Sequence, residues 1–258
     1  MSKVYTTEIT SEDIPSDNPI HQRLLKAYVV AEDYIHGDVL EVGCGEGRGI
    51  DRVLPRSKSY SAIDKIAEVI DKLKVKYPTG KFFSGNIPPF GPFGDNQFDV
   101  VITFQVIEHI EDDVAFLKEI YRVLKPGGVA IITTPNRPMS LSRNPWHIRE
   151  YTGKELGDLA AKTFSRVEVK GISGNGKVME YYERNKRSVQ RVMRWDILDL
   201  QHKLPASILR IPYEMMNRRN RNKLKDGADE LVRSIRHEDY IVTATAEGAL
   251  DLLVFAYK

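Results

Sequence analysis

A chain of 258 residues, 41% apolar and 29% charged, suits one α/β domain with an insertion and buries roughly 70–75% of its unfolded surface. A net charge of +2 points to no polyelectrolyte partner for the chain as a whole, and no apolar run approaches the roughly 18 residues that a membrane span needs. The single cysteine, Cys44, excludes an intramolecular disulfide and any multi-cysteine zinc site; a polar start without an apolar leader makes the cytoplasm the expected location.

In chain order, residues 1–18 read as a polar N-terminal segment. Pro19 to Ile35 then places Ile20, Leu24, Tyr28, Ala31 and Ile35 at helical spacing. Strands are expected at Asp38 to Val42, Ser59 to Asp64, Lys81 to Ser84 and Phe98 to Phe104. The last is almost continuously apolar, as in a parallel sheet covered on both faces. Asp112 to Leu124 carries Val114, Leu117, Ile120, Tyr121 and Leu124 on one helical stripe, closed by Lys125-Pro126-Gly127-Gly128. Val129 to Thr134 is the fifth strand, and Thr152-Gly153-Lys154-Glu155 has the spacing of a capping box. This alternation predicts a doubly wound, Rossmann-like α/β sheet over residues 19–176. The order breaks at Gly171 to Gly176, read as a flexible junction, and strand-like sequence resumes only near Tyr240 and at Leu252 to Tyr257, giving final core strands within 239–258.

Between these lies an insertion, residues 177–238, with 15 Lys and Arg against 9 Asp and Glu, a net +6. Its apolar residues, among them Tyr181, Tyr182, Val189, Val192, Trp195, Ile197, Leu198, Leu204, Ile208 and Ile211, predict two or three amphipathic helices interrupted at Pro205 and Pro212. Three readings stand side by side: a subdomain with a solvated basic face, a lid over an anionic or membrane-associated acceptor, and a protein or nucleic-acid contact.

The most informative stretch is Val39-Leu40-Glu41-Val42-Gly43-Cys44-Gly45-Glu46-Gly47-Arg48-Gly49. An apolar run ending in an acid and followed by alternating glycines is a buried strand opening onto a tight loop, where bare backbone approaches a ligand. A dinucleotide site would want a third packing glycine at position 48. Arg48 stands there, and Glu46 opposes a phosphate. The G-x-G-x-G form resembles motif I of the class I S-adenosylmethionine-dependent methyltransferases. Asp64 at the end of the second strand, Gly85-Asn86-Ile87 after the third, Phe98-Asp99-Val100-Val101 with Ile107-Glu108-His109-Ile110, and Leu124-Lys125-Pro126-Gly127-Gly128 resemble that family's later motifs, in order. The resemblance covers about residues 19–172 and the final strand.

It implies S-adenosyl-L-methionine as cofactor. Glu41 with Gly43, Cys44, Gly45 and Gly47 would hold the methionine end, Asp64 the ribose hydroxyls, Lys65 and Ile66 the adenine edge, Asn86 and Ile87 the adenine amino group and face, and Phe104 and Gln105 the fourth-strand side of the pocket. Asn86 departs from the family, which usually has an acid there; an amide loses the charge-assisted bond.

The acceptor atom follows from what is missing. Ile87-Pro88-Pro89-Phe90 lies after the wrong strand for base N-methylation, no Pro-Cys nucleophile exists, and Gln105 and Asn136 stand where a catechol-type metal site needs acids, so no metal is expected. Asn144-Pro145-Trp146-His147-Ile148-Arg149-Glu150-Tyr151, after the fifth strand, resembles the small-molecule O-methyltransferase branch of ubiquinone-pathway, sugar and antibiotic tailoring enzymes. His147 is the candidate general base, since loops after strand ends hold ligands in doubly wound folds and imidazole titrates near neutral pH; it could equally hold the loop shut. His109 is the second candidate, and Trp146, Arg149 and Tyr151 are candidate acceptor contacts. The expected activity is methyl transfer to an oxygen of a small molecule, anionic or lipid-associated, without nucleic acid. A protein or RNA methyltransferase and a non-catalytic cofactor-binding module are the alternatives.

Overall fold

The computed structural model describes residues 14–194, 196 and 199–258; most of the N-terminal polar segment, and Trp195, Ile197 and Leu198 of the insertion, lie outside the described residues. Strands β1 (Asp38–Val42), β2 (Ser59–Asp64), β3 (Lys81–Ser84) and β4 (Phe98–Phe104) coincide with the four expected runs. Strand β5 (Leu124–Pro135) starts earlier than expected and takes in the Lys-Pro-Gly-Gly segment. Helix α1 (Asn18–Ala31) precedes β1, α2 (Ile50–Val53) and α3 (Ala67–Lys76) flank β2, and α4 (Asp113–Val123) leads into β5. Helix α5 (Gly153–Ala160) begins at Thr152 with the anticipated capping box, Thr152 and Glu155 answering each other's backbone N–H.

Strand β6 (Arg166–Gly174) corrects the expected junction at Gly171 to Gly176. The glycines there provide clearance rather than freedom. A Cβ on Gly171 would lie 2.2 Å from the Ala249 Cβ and 2.6 Å from Thr243 Oγ1, so the strand continues only with hydrogen at that position. After β6 come α6 (Gly176–Met193), α7 (Leu200–Lys203), α8 (Ala206–Gly227) and α9 (Asp229–Ser234), then β7 (Tyr240–Thr243) and β8 (Asp251–Tyr257). Pro205 starts α8, but Pro212 lies inside it instead of interrupting it. Pro212 is exposed, so the carbonyl that loses its N–H partner can be hydrated.

The eight strands form one sheet in the order β3-β2-β1-β4-β5-β8-β6-β7. The first five are mutually parallel, and β8, β6 and β7 join in antiparallel pairs. Parallel strands need crossover helices, which cover both faces, and this is why the central stretches Val39-Leu40, Val100-Val101-Ile102 and Val129-Ala130-Ile131-Ile132 are apolar. Val39, Ile102, Ile131 and Phe255 pack on one face with Ala27, Tyr28, Ile70 and Leu73, while Leu40, Val101, Ile132 and Val254 pack on the other with Phe116, Leu117, Ile120 and Leu156. Strand order reverses between β1 and β4, which places a crevice at the carboxyl ends of those two strands.

Helices α6 to α9 fold over that carboxyl edge. Polar contacts tie them to the segment that opens α1: Asp17 accepts from Arg218 at 2.7 Å and Arg221 at 3.1 Å, and Asn18 donates to the carbonyls of Val232 and, just after α9, Ile235; the Tyr240 hydroxyl of β7 donates to Pro19 O at 2.6 Å. No helix among the described residues is long and apolar enough to cross a membrane.

Candidate active site

The glycine loop leaves β1 under tight steric control. Gly43 has φ +79°, and a Cβ there would meet Val106 Cγ2 at 2.3 Å. Gly45 has φ +49° and nothing within 4 Å of a would-be Cβ, so its backbone borders open space. Its N–H donates to Asp64 Oδ2 at 2.9 Å, and Ile66 N donates to the other carboxylate oxygen at 3.0 Å. Asp64 therefore locks the loop, while each oxygen keeps a lone pair for a ligand hydroxyl.

Glu41 is placed differently from the expectation. It is 1% exposed and sits beneath the loop, accepting from the hydroxyls of Tyr28 (2.6 Å) and Tyr60. Burial pushes its carboxyl up to about 7 against the lowering effect of the two phenols. Glu41 thus braces the loop from behind rather than reaching a ligand. Cys44 is buried, and desolvation together with Glu41 and Asp64 pushes its thiol up, which excludes a thiolate nucleophile. Lys65 and Asn86 are exposed and Ile66 and Ile87 half-buried at the ends of β2 and β3, whose last residues, Asp64 and Ser84, pair in register. Phe104, at the end of β4, packs edge-on against Tyr28, and Gln105 follows with φ +58°, its N–H donating to Thr133 O.

A cavity of about 270 Å³ adjoins Gln105 between the sheet edge, α1, α6 and α8. Its wall includes Glu108, His109, Asn144, His147 and Glu150, so both candidate histidines face one space. His147 Nδ1 lies 2.6 Å from Glu150 Oε1, and its Nε2 lies 2.8 Å from Asn144 Nδ2. Because Asn144 Oδ1 accepts from Trp146 N, the Asn144 amide donates to Nε2, which puts the His147 proton on Nδ1. Burial opposes ionisation of Glu150, but hydrogen bonds from His147 and Ser140 outweigh it and hold Glu150 below the usual carboxylate range.

His109 Nδ1 lies 3.0 Å from the Trp146 carbonyl, and its ring meets that of His147 edge to face at 5.0 Å. Burial and the neighbouring His147 lower its pKa to about 4, so it is neutral at pH 7. Glu108 is buried, accepts from Thr134 Oγ1 at 2.9 Å, and is pushed up to about 7 by desolvation.

The three expected acceptor contacts lie outside this cavity wall. The Tyr151 hydroxyl donates to Asp113 at 2.8 Å from a buried position, Arg149 pairs with the same carboxylate, and the Trp146 indole donates to Glu214 Oε1 at 3.0 Å under the Arg210 guanidinium. These residues fasten the loop to α4 and α8. Sequence reasoning offered the insertion as one possible lid but assigned no site role to Glu150, Asn144 or Ser140, nor to the residues of α6 and α8 that line the wall. Asn144 and Glu150 stand three residues either side of His147, a spacing that offered the one available signal.

A methyltransferase domain model matches residues 40–132. The chain is 30% identical over 136 residues to an uncharacterized methyltransferase of Bacillus subtilis, covering 51% of this chain and 73% of that one. The chain belongs to the S-adenosylmethionine-dependent methyltransferases. A probable methyltransferase of this kind from Mycolicibacterium smegmatis is 39% identical over 51% of this chain and 52% of its own length, and a ubiquinone biosynthesis O-methyltransferase of Rickettsia bellii is 33% identical over 39% and 42%. The chain spans about half the length of the first of these curated relatives. Among solved structures, a methyltransferase from Thermotoga maritima described as a possible histamine N-methyltransferase superposes with TM-score 0.58 at 14% identity, covering 93% of this chain and 91% of that one; the likeness is one of fold, the class I methyltransferase fold.

The family's cofactor is S-adenosyl-L-methionine, and the residues at the carboxyl ends of β1 to β3 fit it. The open space at Gly45, the remaining lone pairs of Asp64 and the apolar Ile66 and Ile87 suit a sulfonium nucleoside without phosphate.

Proposed function

We propose that the chain transfers the methyl group of S-adenosyl-L-methionine to an oxygen of a small-molecule acceptor seated in the cavity beneath α6 and α8. The observation that carries this reading is the Glu150–His147 pair in the wall of that cavity, where Gln105 also stands. When bound, the cofactor supplies an electrophilic methyl group on a sulfonium. The chain's own residues then do the rest. Asp64 and the glycine loop hold the ribose and methionine ends. An acceptor hydroxyl that displaces the Asn144 amide meets His147 Nε2, which takes its proton, while Glu150 fixes the tautomer and stabilises the imidazolium. Neutral His109 packs against that ring, and residues of α6 and α8 line the cavity around it.

The wall also bears on the acceptor. Tyr181, Tyr182 and Tyr213 with Asn185, Asn217 and Asn220 suit a ring-bearing, hydroxylated molecule. Arg23 and Arg221 face the same space, but each answers a buried carboxylate, Asp251 and Asp17, which favours a neutral acceptor over an anionic one. The relative that is a ubiquinone biosynthesis O-methyltransferase supports oxygen as the methyl acceptor. Incubation with methyl-labelled cofactor and fractionated extract tests the reading. Label in small molecules, as an ether by NMR, is expected; label confined to protein or RNA would overturn it.

A further inference from the structure

Helix α8 carries its faces the opposite way round from a helix that covers a core. Tyr213, Asn217, Asn220 and Arg221, spaced as i, i+4, i+7 and i+8, form one side and line the acceptor cavity. The outer side holds Ile208, Ile211, Met215 and Met216, which are 58%, 72%, 59% and 46% exposed. Val192, near the end of α6, and Leu200, which starts α7, are exposed as well, so six of the eleven exposed large apolar side chains among the described residues fall within 192–216. Single surface hydrophobics are ordinary, but a run of them on one helix face marks an interaction surface. We propose that the outer face of α8 docks on an anionic phospholipid bilayer, with the helix lying in the plane of the headgroups.

Charge selects the occupant. Along the same outer side the apolar stripe gives way to Arg219 and Lys223, both exposed, and Arg191 and Arg194 are exposed at the end of α6. Over its 22 residues α8 holds six Lys and Arg against Glu214 and Asp226, and Glu214 is engaged by the Trp146 indole. A second copy of this chain would set this positive surface against itself, and a nucleic-acid backbone offers nothing to isoleucine and methionine. A bilayer answers both features: the aliphatic side chains enter the boundary between headgroups and acyl chains, while Lys and Arg reach lipid phosphates on their long stems. Pro212 stands on the same face. The carbonyl that loses its N–H partner to this proline stays hydrated at headgroup depth, whereas a dry protein groove would strand it.

Because the other side of α8 lines the cavity, a docked α8 sets the acceptor cavity against the membrane. Resting on the acceptor reading above, the consequence is that an acceptor which partitions into the bilayer reaches the cavity without passing through bulk water. Attachment through one face of one helix is reversible, strengthened by anionic lipid and weakened by salt.

The test is flotation of the full-length protein with vesicles of phosphatidylcholine alone and of a two-to-one mixture of phosphatidylcholine and phosphatidylglycerol, without cofactor or acceptor. Binding to the mixed vesicles is expected to be at least about tenfold tighter, to fall as salt rises, and to slow amide hydrogen exchange along α8. Ile211→Ser combined with Met215→Ser should weaken that binding at least about tenfold, and Arg219→Glu combined with Lys223→Glu should remove the preference for anionic lipid. The wild-type lipid preference and exchange pattern need no variant, so a misfolded variant does not remove the test. Absent binding, equal binding to both vesicles, binding unchanged in the folded Ile211→Ser, Met215→Ser protein, or an outer face already protected by a second copy in solution would overturn the proposal. Flotation reads no methyl transfer, so failure of the proposed activity cannot be mistaken for failure of the surface.

Discussion

His147 and Glu150 stand three residues apart on the loop after β5, with Nδ1 2.6 Å from Oε1 and both side chains largely buried. A carboxylate that holds an imidazole by Nδ1 fixes the tautomer in which Nε2 is the nitrogen able to take a proton.

Replacing this histidine separates chemistry from positioning. His147→Ala should lower kcat by about 10²–10⁴-fold with cofactor affinity nearly constant, and raising the pH should restore part of the rate as the acceptor ionises unaided. Steady-state kinetics across pH check this. A raised acceptor KM without pH rescue would make His147 a positioning residue.

Asp64 joins the glycine loop to the ribose position, so its loss has two parts. Charge-assisted hydrogen bonds contribute about 1.5–3 kcal/mol each, and Asp64→Ala should weaken cofactor binding by at least about tenfold. Because Gly45 and Ile66 N–H groups also lose their acceptor, the loop should become more exchangeable. Calorimetry with S-adenosylhomocysteine and amide hydrogen exchange report the two parts. Unchanged affinity in a folded variant would move the ribose site elsewhere.

Glu41 sets a pH dependence of stability. Burial pushes its carboxyl up to about 7 in the folded protein from the ordinary 4.5, so between these values the folded chain binds the proton more tightly. Stability present below about pH 4.5 is therefore lost as pH rises through 7, by at most about 3.4 kcal/mol at about 1.36 kcal/mol per unit. Glu108 titrates in the same window and adds to the slope. Urea unfolding of the apoprotein at pH 5 and pH 8 should show the loss, and Glu41→Gln should remove about half of it. An equal slope in the variant would assign the effect to other groups.

The indole of Trp146 couples the histidine loop to α8 through Glu214 and Arg210. Glu214→Ala should leave cofactor affinity intact and raise acceptor KM about 3–30-fold, corresponding to a loss of roughly 0.5–2 kcal/mol. An unchanged KM would detach α8 from acceptor binding.

Local chemistry determined a large part of this protein. β1 and β4 are bounded as their apolar stretches and flanking polar residues dictate, because central parallel strands are covered on both faces. The glycine loop was legible for the same kind of reason: only glycine tolerates the φ of +79° and the 2.3 Å approach to Val106 at position 43. Where long-range contact decides, the sequence is silent. Gly171 reads as a hinge until Ala249 and Thr243, some seventy residues away, are seen to require its missing side chain. Glu41 reads as a ligand until Tyr28 and Tyr60 close over it. Arg149 and Tyr151 sit beside His147 in the chain yet point to Asp113, whereas His109, 38 positions earlier, shares its cavity. Spacing along a strand or helix fixes which face a side chain takes, but which faces meet at the carboxyl edge of the sheet depends on strand order and on helices α6 to α9 folding over it.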